Sequence, residues 1–302
     1  MKPPKTKWIR DIFFAFSLLI FSTPAGFAAR AIPEDYVRYP VLVTLDSGAS
    51  ASGFYLNNEK GDAYFVTAKH IFFTDKAQNA GGGSPVLRGT KALLLSYPQE
   101  TQYHHPMYIE LELAVLLEKG SIKTDESIDI VAVKVGFVSQ IGSVKSLQFV
   151  EGAVQKAEST EEFEGTLLGA SSEVIKKYDD VSIGNEVFIF GYPVSLGIEN
   201  YAQIDYRKPL LRRGAIAGKN DDKKTIILDC PTVYGNSGGP VFEVEQISLT
   251  QTQFWIIGVV SEFIPFQDKW YQTKQPFRSS PIENSGYSVV IPMDTILDLI
   301  ES

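Results

Sequence analysis

The chain has 302 residues, which is enough to bury one or two sizeable hydrophobic cores. Hydrophobic residues make up 44% of it and charged residues 21%, an ordinary composition for a globular protein. Its formal net charge of −8 argues against nucleic acid as a partner.

Residues 1–29 have the layout of a secretory signal peptide: a basic start, an uncharged apolar run at 12–21 and small residues at the end. A helix of ten residues rises about 15 Å, whereas the bilayer core is roughly 30 Å thick, so a membrane anchor is disfavoured. We expect cleavage after Ala28, Ala29 or Ala31, and no stable membrane insertion afterwards.

Short β runs separated by turns follow the signal segment and predict an N-terminal β-barrel over 30–145. A glycine-rich surface loop is expected at 80–85. Strands are predicted at 41–45, 53–56, 63–67, 91–97, 108–117 and 128–135.

Residues 146–180 are polar and acidic and are predicted to form an irregular connector. A second β-barrel is predicted over 181–302, where apolar residues at helical spacing indicate a closing helix at 293–300 that Asp294 can cap. The predicted fold class is therefore all-β, with two β-barrels and a C-terminal helix. Strands of the second unit are predicted at 186–190, 224–229, 240–245, 254–261 and 287–291.

The segment 234–240, Tyr-Gly-Asn-Ser-Gly-Gly-Pro, is not built like a core strand. Its glycines let backbone amides lie where a side chain would block them. A serine held between such amides can attack a carbonyl carbon, so Ser237 is a candidate nucleophile. The amides of Gly235 and Ser237 are candidate donors to the oxyanion that forms.

A serine hydroxyl needs a base, and the base needs an orienting partner. Of the three histidines, His104 and His105 lie in a polar segment that we expect to be an exposed loop. His70 follows a predicted strand, where a base is rigidly held and still faces a cleft. A histidine at a strand end is more often structural, but together with a candidate nucleophile it becomes the candidate base.

The orienting acid is expected at the edge of a strand between His70 and Ser237. Asp129 enters the apolar run 130–133 and is the preferred candidate. Asp125 is the closest rival, but the polar turn Lys-Thr-Asp-Glu around it favours a solvated side chain.

Cys230 is the only cysteine, so the chain has no intrachain disulfide and its stability must come from packing. A small buried hydrophobic residue is favoured over a reactive thiol at this position.

These segments resemble those of the chymotrypsin-like serine proteases. Gly-Asn-Ser-Gly-Gly-Pro resembles the nucleophile segment, Thr-Ala-Lys-His at 67–70 the histidine motif, and Asp-Ile-Val-Ala at 129–132 the aspartate strand. Gly-Tyr-Pro at 191–193 and Gly-Val-Val-Ser at 258–261 are similar to strands of bacterial trypsin-like peptidases. The resemblance implies a bacterial endopeptidase in the periplasm or outside the cell, acting on proteins or peptides without a metal or organic cofactor.

The resemblance also implies what the three candidate side chains do. His70 takes the proton of Ser237 and passes it to the leaving amine, while Asp129 holds the His70 tautomer. The reaction then proceeds through an acyl-enzyme. No peptide-binding (PDZ) module is expected after the closing helix.

Substrate-binding positions carry over by resemblance to Pro231, Ser261, Phe263 and Gly286. None of these four residues is charged, whereas trypsin-like enzymes carry an aspartate at the pocket base. We therefore expect an uncharged side chain of small or medium size before the scissile bond.

Two alternatives come from other classes. An inactive relative that keeps the cleft would be a peptide-binding protein. An esterase with a Gly-x-Ser-x-Gly elbow is disfavoured, because its histidine follows the serine and no histidine follows Ser237. The long segments 71–128 and 146–180 are either lids and partner surfaces or tolerated surface loops, of which the loops are favoured.

Overall fold

In the computed structural model, the signal segment, the glycine-rich loop, His104 and His105 lie outside the described residues. The chain divides into two compact units, Met1–Tyr36 and Val37–Ser302, and every strand of the described residues lies in the second. Within the described residues, no helix is long and apolar enough to cross a membrane. The structure describes residues 32–74, 86–97, 106–141, 144–156, 168–193, 202–248, 251–267, 270–271, 278–279 and 282–302.

The first sheet has ten strands, in the order β6-β7-β3-β2-β1-β4-β5-β9, with β8 paired to β7 and β10 paired to β2. Its pairings are antiparallel except that of β10 with β2. The strands are β1 Pro40–Leu45, β2 Ser50–Asn57, β3 Asp62–Thr67, β4 Lys91–Ser96, β5 Met107–Glu112, β6 Ile122–Thr124, β7 Val131–Ile141, β8 Val144–Phe149, β9 Ala153–Lys156 and β10 Gly169–Ala170.

The second sheet closes into a barrel in the order β11-β12-β13-β18-β15-β14. Strands β16 and β17 pair with each other. These strands are β11 Glu186–Gly191, β12 Leu210–Asn220, β13 Thr225–Asp229, β14 Pro240–Gln246, β15 Thr252–Gln267, β16 Trp270–Tyr271, β17 Arg278–Ser279 and β18 Ile282–Pro292. In the part of the chain that the structure describes, the α-helices are α1 Lys69–Phe72, α2 Leu113–Glu118 and the C-terminal α3 Met293–Glu301. The predicted all-β class with a closing helix is confirmed.

Strand β2 is buried on both of its faces. Ala51 and Tyr55 point into the core of the first sheet, because alternate residues of a strand share a face. Ser52 on the opposite face bonds Tyr192 and Gly235, which lie beside strands of the second sheet. The two sheets therefore meet along β2, and the strand that leads to His70 is its neighbour β3.

Three elements differ from their predictions. Residues 113–117 form helix α2 rather than the end of a strand, because the buried Leu113 and Leu116 follow a helical period. Strands β8 and β9 extend the first sheet to Lys156, so the segment between the sheets starts later than 146. Asp294 makes no capping bond, and its carboxylate accepts from the Tyr178 amide at 3.2 Å instead.

A buried ion pair fixes the segment before β11 to the barrel. Glu243 on β14 is fully buried, and its Oε2 lies 3.2 Å from Lys176 Nζ. Its Oε1 accepts from Asn185 Nδ2 at 2.6 Å and from the Ser182 amide at 3.3 Å. One carboxylate therefore holds three residues of this segment.

Lys176 Nζ also lies 3.3 Å from Glu245 Oε2, so the ammonium keeps one carboxylate when Glu243 is replaced. We expect Glu243→Gln to lower the free energy of unfolding by about 2 kcal/mol, because the buried ammonium and the Asn185 and Ser182 donors lose a charged acceptor. Denaturant unfolding measures the loss. The matched control is Glu110→Gln on β5, where the carboxylate pairs with Lys91 and Lys156 near the surface and a far smaller effect is expected. Equal losses in the two variants would contradict the prediction.

Candidate active site

The Asp129 carboxylate, two positions before β7 begins, accepts three hydrogen bonds. Its Oδ2 accepts from His70 Nδ1 at 2.9 Å and from Ser261 Oγ at 2.8 Å. Its Oδ1 accepts from the His70 backbone amide at 2.9 Å. Because an ionised carboxylate is an acceptor only, Nδ1 of His70 carries a proton, and Nε2 of a neutral ring is the free acceptor.

The pKa of Asp129 reflects two opposing effects. Burial of the carboxylate raises its pKa. Four effects lower the pKa and together outweigh burial: the hydrogen bond from the His70 side chain, the charge of His70, and the hydrogen bonds from Ser261 and the His70 amide. The pKa therefore lies below its ordinary value of 3.8. The carboxylate is ionised at neutral pH, which is the state that orients an imidazole.

Asp125 does not face His70. Its exposed carboxylate accepts from the amide of Ser127 at 2.7 Å and from the hydroxyl of the same residue. Its carbonyl accepts from Lys69 Nζ at 2.7 Å. Of the two candidate acids, only Asp129 is bonded to the histidine.

Ser237 lies in a tight turn between β13 and β14 that backbone bonds fix. Asn236 is buried, and its side-chain oxygen accepts from the Val233 amide at 3.0 Å. The Gly238 amide donates to the Val260 carbonyl at 2.7 Å, which joins the turn to β15. Gly235 and Gly238 have φ of +95° and +83°, values that favour glycine.

The glycines of this turn are also required by the closeness of β2. A Cβ on Gly238 would lie 2.1 Å from the Ser52 carbonyl oxygen, which no real contact allows. A Cβ on Gly191, at the end of β11, would lie 2.6 Å from Asn236 Nδ2. The sequence pattern indicates the role of the turn glycines at the amides but gives no sign of this packing against β2.

His70, Asp129, Ser237 and Ser261 line one cavity of about 610 Å³. The structure thus brings the three candidate catalytic side chains from two sheets to one place. Among the described residues, Ser237 Oγ makes no hydrogen bond to His70, and such bonds often form only once substrate is present.

The predicted substrate-binding residues divide into two groups. Ser261 and Phe263 line the cavity, whereas Pro231 and Gly286 are not among its lining residues. The side chain of Pro231 is exposed, and the Gly286 carbonyl accepts from the Cys230 amide at 3.0 Å. The position six residues before the nucleophile, Pro231, is therefore not part of the cavity wall. The next three residues, Thr232, Val233 and Tyr234, line the cavity instead.

Cys230 is fully buried in the core of the second sheet. Burial raises the pKa of its thiol to about 11, so the thiol is neutral at physiological pH. This agrees with the predicted packing role, since a thiol is reactive only as the thiolate.

Residues 51–248 match the family model described as the trypsin-like peptidase domain. This is more than half of the chain, and the chain belongs to that family. No curated protein matches it.

A solved structure, "HtrA-type protease AlgW with decapeptide", is similar at 13% identity with a TM-score of 0.41. The match covers 84% of this chain and 52% of the other, so this chain spans about half the length of that one.

Proposed function

We propose that this chain is an exported serine endopeptidase that cleaves peptide bonds through an acyl-enzyme on Ser237. The observation that carries the proposal is the His70–Asp129 pair, joined at 2.9 Å, on the same cavity as Ser237. The family supports peptide-bond hydrolysis in general. The serine as nucleophile, the three roles and the export are parts of the proposal.

The chemistry follows from which atoms carry protons. Nε2 of His70 takes the proton of the Ser237 hydroxyl as Oγ bonds to the substrate carbonyl carbon. The C–N bond then breaks, and His70 gives this proton to the leaving amine. Water, deprotonated by His70, attacks the ester that remains. The C–Oγ bond then breaks and His70 returns the proton to Oγ, which releases the acid and restores Ser237. Asp129 balances the charge of the imidazolium in both halves.

The oxyanion of each tetrahedral intermediate is proposed to bind the amides of Gly235 and Ser237. Within the described residues, neither amide donates to a protein acceptor. Neither amide is therefore engaged by these residues, Ser237 lines the cavity, and the turn bonds of Asn236 and Gly238 fix the backbone around both amides. Donors held in place before the reaction stabilise developing charge without reorganising.

Hydrolysis by the purified mature protein tests the proposal. We expect internal cleavage of a mixed peptide library, with mass spectrometry identifying the cut bonds, and no cleavage by Ser237→Ala. The alternative hypothesis is an inactive relative, which would bind library peptides without cutting them. The one observation that favours it is that Ser237 and His70 share no hydrogen bond in the described residues. Binding without any cut would therefore contradict the proposal.

The cavity lining includes the charged residues Lys69, Arg88, Glu126 and Glu262. The part formed by Thr232, Val233, Tyr234 and Phe263 carries no charge and favours an uncharged side chain before the scissile bond. Ser288 Oγ donates to the Cys230 carbonyl at 2.7 Å, so Thr232 Oγ1 is the donor in their 2.8 Å contact. The hydroxyl protons at this wall are thus used internally. Phe263 stacks edge-on with Tyr234 at 5.7 Å, and the side chain of Glu262 is exposed.

We expect peptides with Ala, Val or Leu at this position to exceed those with Lys, Arg, Asp or Glu in kcat/KM by at least about 10²-fold. The reason is that a buried charge without a partner costs several kcal/mol. Matched peptides that differ only at this residue measure the ratio. A preference for Arg or Lys over Val would show that residues other than those of this wall determine the substrate preference.

Signal removal alone should give an active enzyme. In trypsin-type zymogens an aspartate before the nucleophile pairs with a newly freed amino group, whereas here Asn236 holds the Val233 amide with a neutral side chain. We expect a chain that starts after Ala28, Ala29 or Ala31 to hydrolyse peptides without further cutting. Intact mass and activity of the same sample decide this, and a mature chain that stays inert until it is cut again would contradict it.

A further inference from the structure

Ser52 connects the first sheet to the turn that carries Ser237. It lies on β2 and is fully buried. Its hydroxyl donates to the Gly235 carbonyl at 2.6 Å and accepts from the Tyr192 amide at 2.8 Å. Its own amide donates to the Ser237 carbonyl at 3.0 Å. We propose that Ser52 is a positioning residue that sets the geometry of the nucleophile turn, an inference that rests on the proposed function.

The two carbonyls that Ser52 holds belong to Gly235 and Ser237, the residues whose amides are proposed to bind the oxyanion. Fixing a carbonyl restrains the ψ angle of its residue. This restraint matters most at Gly235, which has φ of +95° and no side chain to limit its backbone. The Ser52 hydroxyl therefore restrains the backbone conformation of Gly235, which has no side chain to restrain it.

Ser52 is also bonded to the strand that leads to the base. Its carbonyl accepts from Thr67 Oγ1 at 2.7 Å, and Thr67 ends β3 three positions before His70. One residue thus holds the nucleophile turn on one side and the approach to the base on the other. This places Ser52 where it can align Ser237 with His70, whose segments follow strands of different sheets.

The space around Ser52 fits this role. A Cβ on Gly191 would lie 2.9 Å from Ser52 Oγ, closer than real Cβ contacts come. Glycine at the end of β11 therefore allows the Tyr192 amide to reach the hydroxyl. The hydroxyl is satisfied as donor and as acceptor, so its removal leaves two buried backbone groups without this partner.

The test compares Ser52→Ala with wild type at a temperature where circular dichroism shows both to be folded. We expect kcat per folded molecule to fall about 10- to 100-fold with KM within about twofold, because small misplacements of reacting groups have effects of this size. The rate at which a fluorophosphonate labels Ser237 should fall by a similar factor. Ser52→Cys keeps a weak donor and acceptor in a similar volume and should be intermediate.

The control is Tyr178→Phe, which loses the bond to Asp221 at 2.8 Å away from the nucleophile turn. It should lower Tm while leaving kcat and labelling unchanged. A wild-type kcat in Ser52→Ala would overturn this inference and leave the proposed function standing. If the alanine variant does not fold, a wild-type kcat in Ser52→Cys would have the same consequence. A wild-type protein that neither cleaves peptides nor reacts with fluorophosphonate would overturn the proposed function and the inference with it.

Discussion

Replacing Ser237 with alanine is expected to lower kcat by up to about 10⁶-fold with the fold intact. The variant loses the only hydroxyl proposed to form the acyl-enzyme, but it keeps the His70–Asp129 pair and the turn, whose bonds are made by backbone groups and Asn236. The residual rate would come from the oxyanion donors and substrate binding. Initial rates on the best library peptide, with Tm measured in parallel, give the comparison.

The matched control is Ser172→Ala, an exposed serine in a short 3-10 helix outside the cavity. It should leave kcat unchanged. Activity of Ser237→Ala within tenfold of wild type would mean that another group attacks the substrate.

Replacing Asp129 with asparagine is expected to lower kcat by about 10⁴-fold. An amide keeps the shape of the carboxylate but cannot balance the imidazolium charge. It can also present an N–H to His70 and so favour the wrong tautomer of the ring. The rate should recover in part at high pH, where a deprotonated imidazole needs less help from its partner, and a pH profile of kcat measures this.

Asp125→Asn is the natural comparison, because this carboxylate bonds only Ser127 among the described contacts. Its kcat should stay within about twofold of wild type. A large loss of kcat in Asp125→Asn together with a wild-type kcat in Asp129→Asn would show that Asp125, not Asp129, is the orienting acid.

Asp129 also contributes to the dependence of protein stability on pH in the acid range. Its pKa in the folded chain lies below the ordinary 3.8, so the stabilisation is fully present above that value and is lost as pH falls below it. Asp129→Asn should therefore weaken the dependence of unfolding free energy on pH in that acid range.

The three candidate catalytic residues were predictable because each stands in a short local pattern. The glycines around Ser237, the strand end before His70 and the apolar run after Asp129 are all visible within a few residues. Ser52 gives no such signal. Its hydroxyl partners Tyr192 and Gly235 are 140 and 183 positions away, and only the folded sheets bring them together.

The incorrect predictions have a related cause. A short apolar run such as 113–117 fits a strand or a helix equally well until its buried faces are known. Asp294 is predicted to cap the closing helix, but Pro292 is the N-cap and the Asp294 carboxylate accepts from the Tyr178 amide of a distant segment. Residue counting identified the neighbourhood of the substrate wall, yet which side chains face the cavity depends on how β13 leaves the barrel.

Active-site titration with a fluorophosphonate tests the central proposal most directly, because only an activated serine reacts with it. We expect one label per wild-type molecule, located by mass spectrometry on Ser237, no label in Ser237→Ala and strongly slowed labelling in His70→Ala. A folded wild-type protein that takes up no label, or takes it up on a different residue, would contradict the proposed triad.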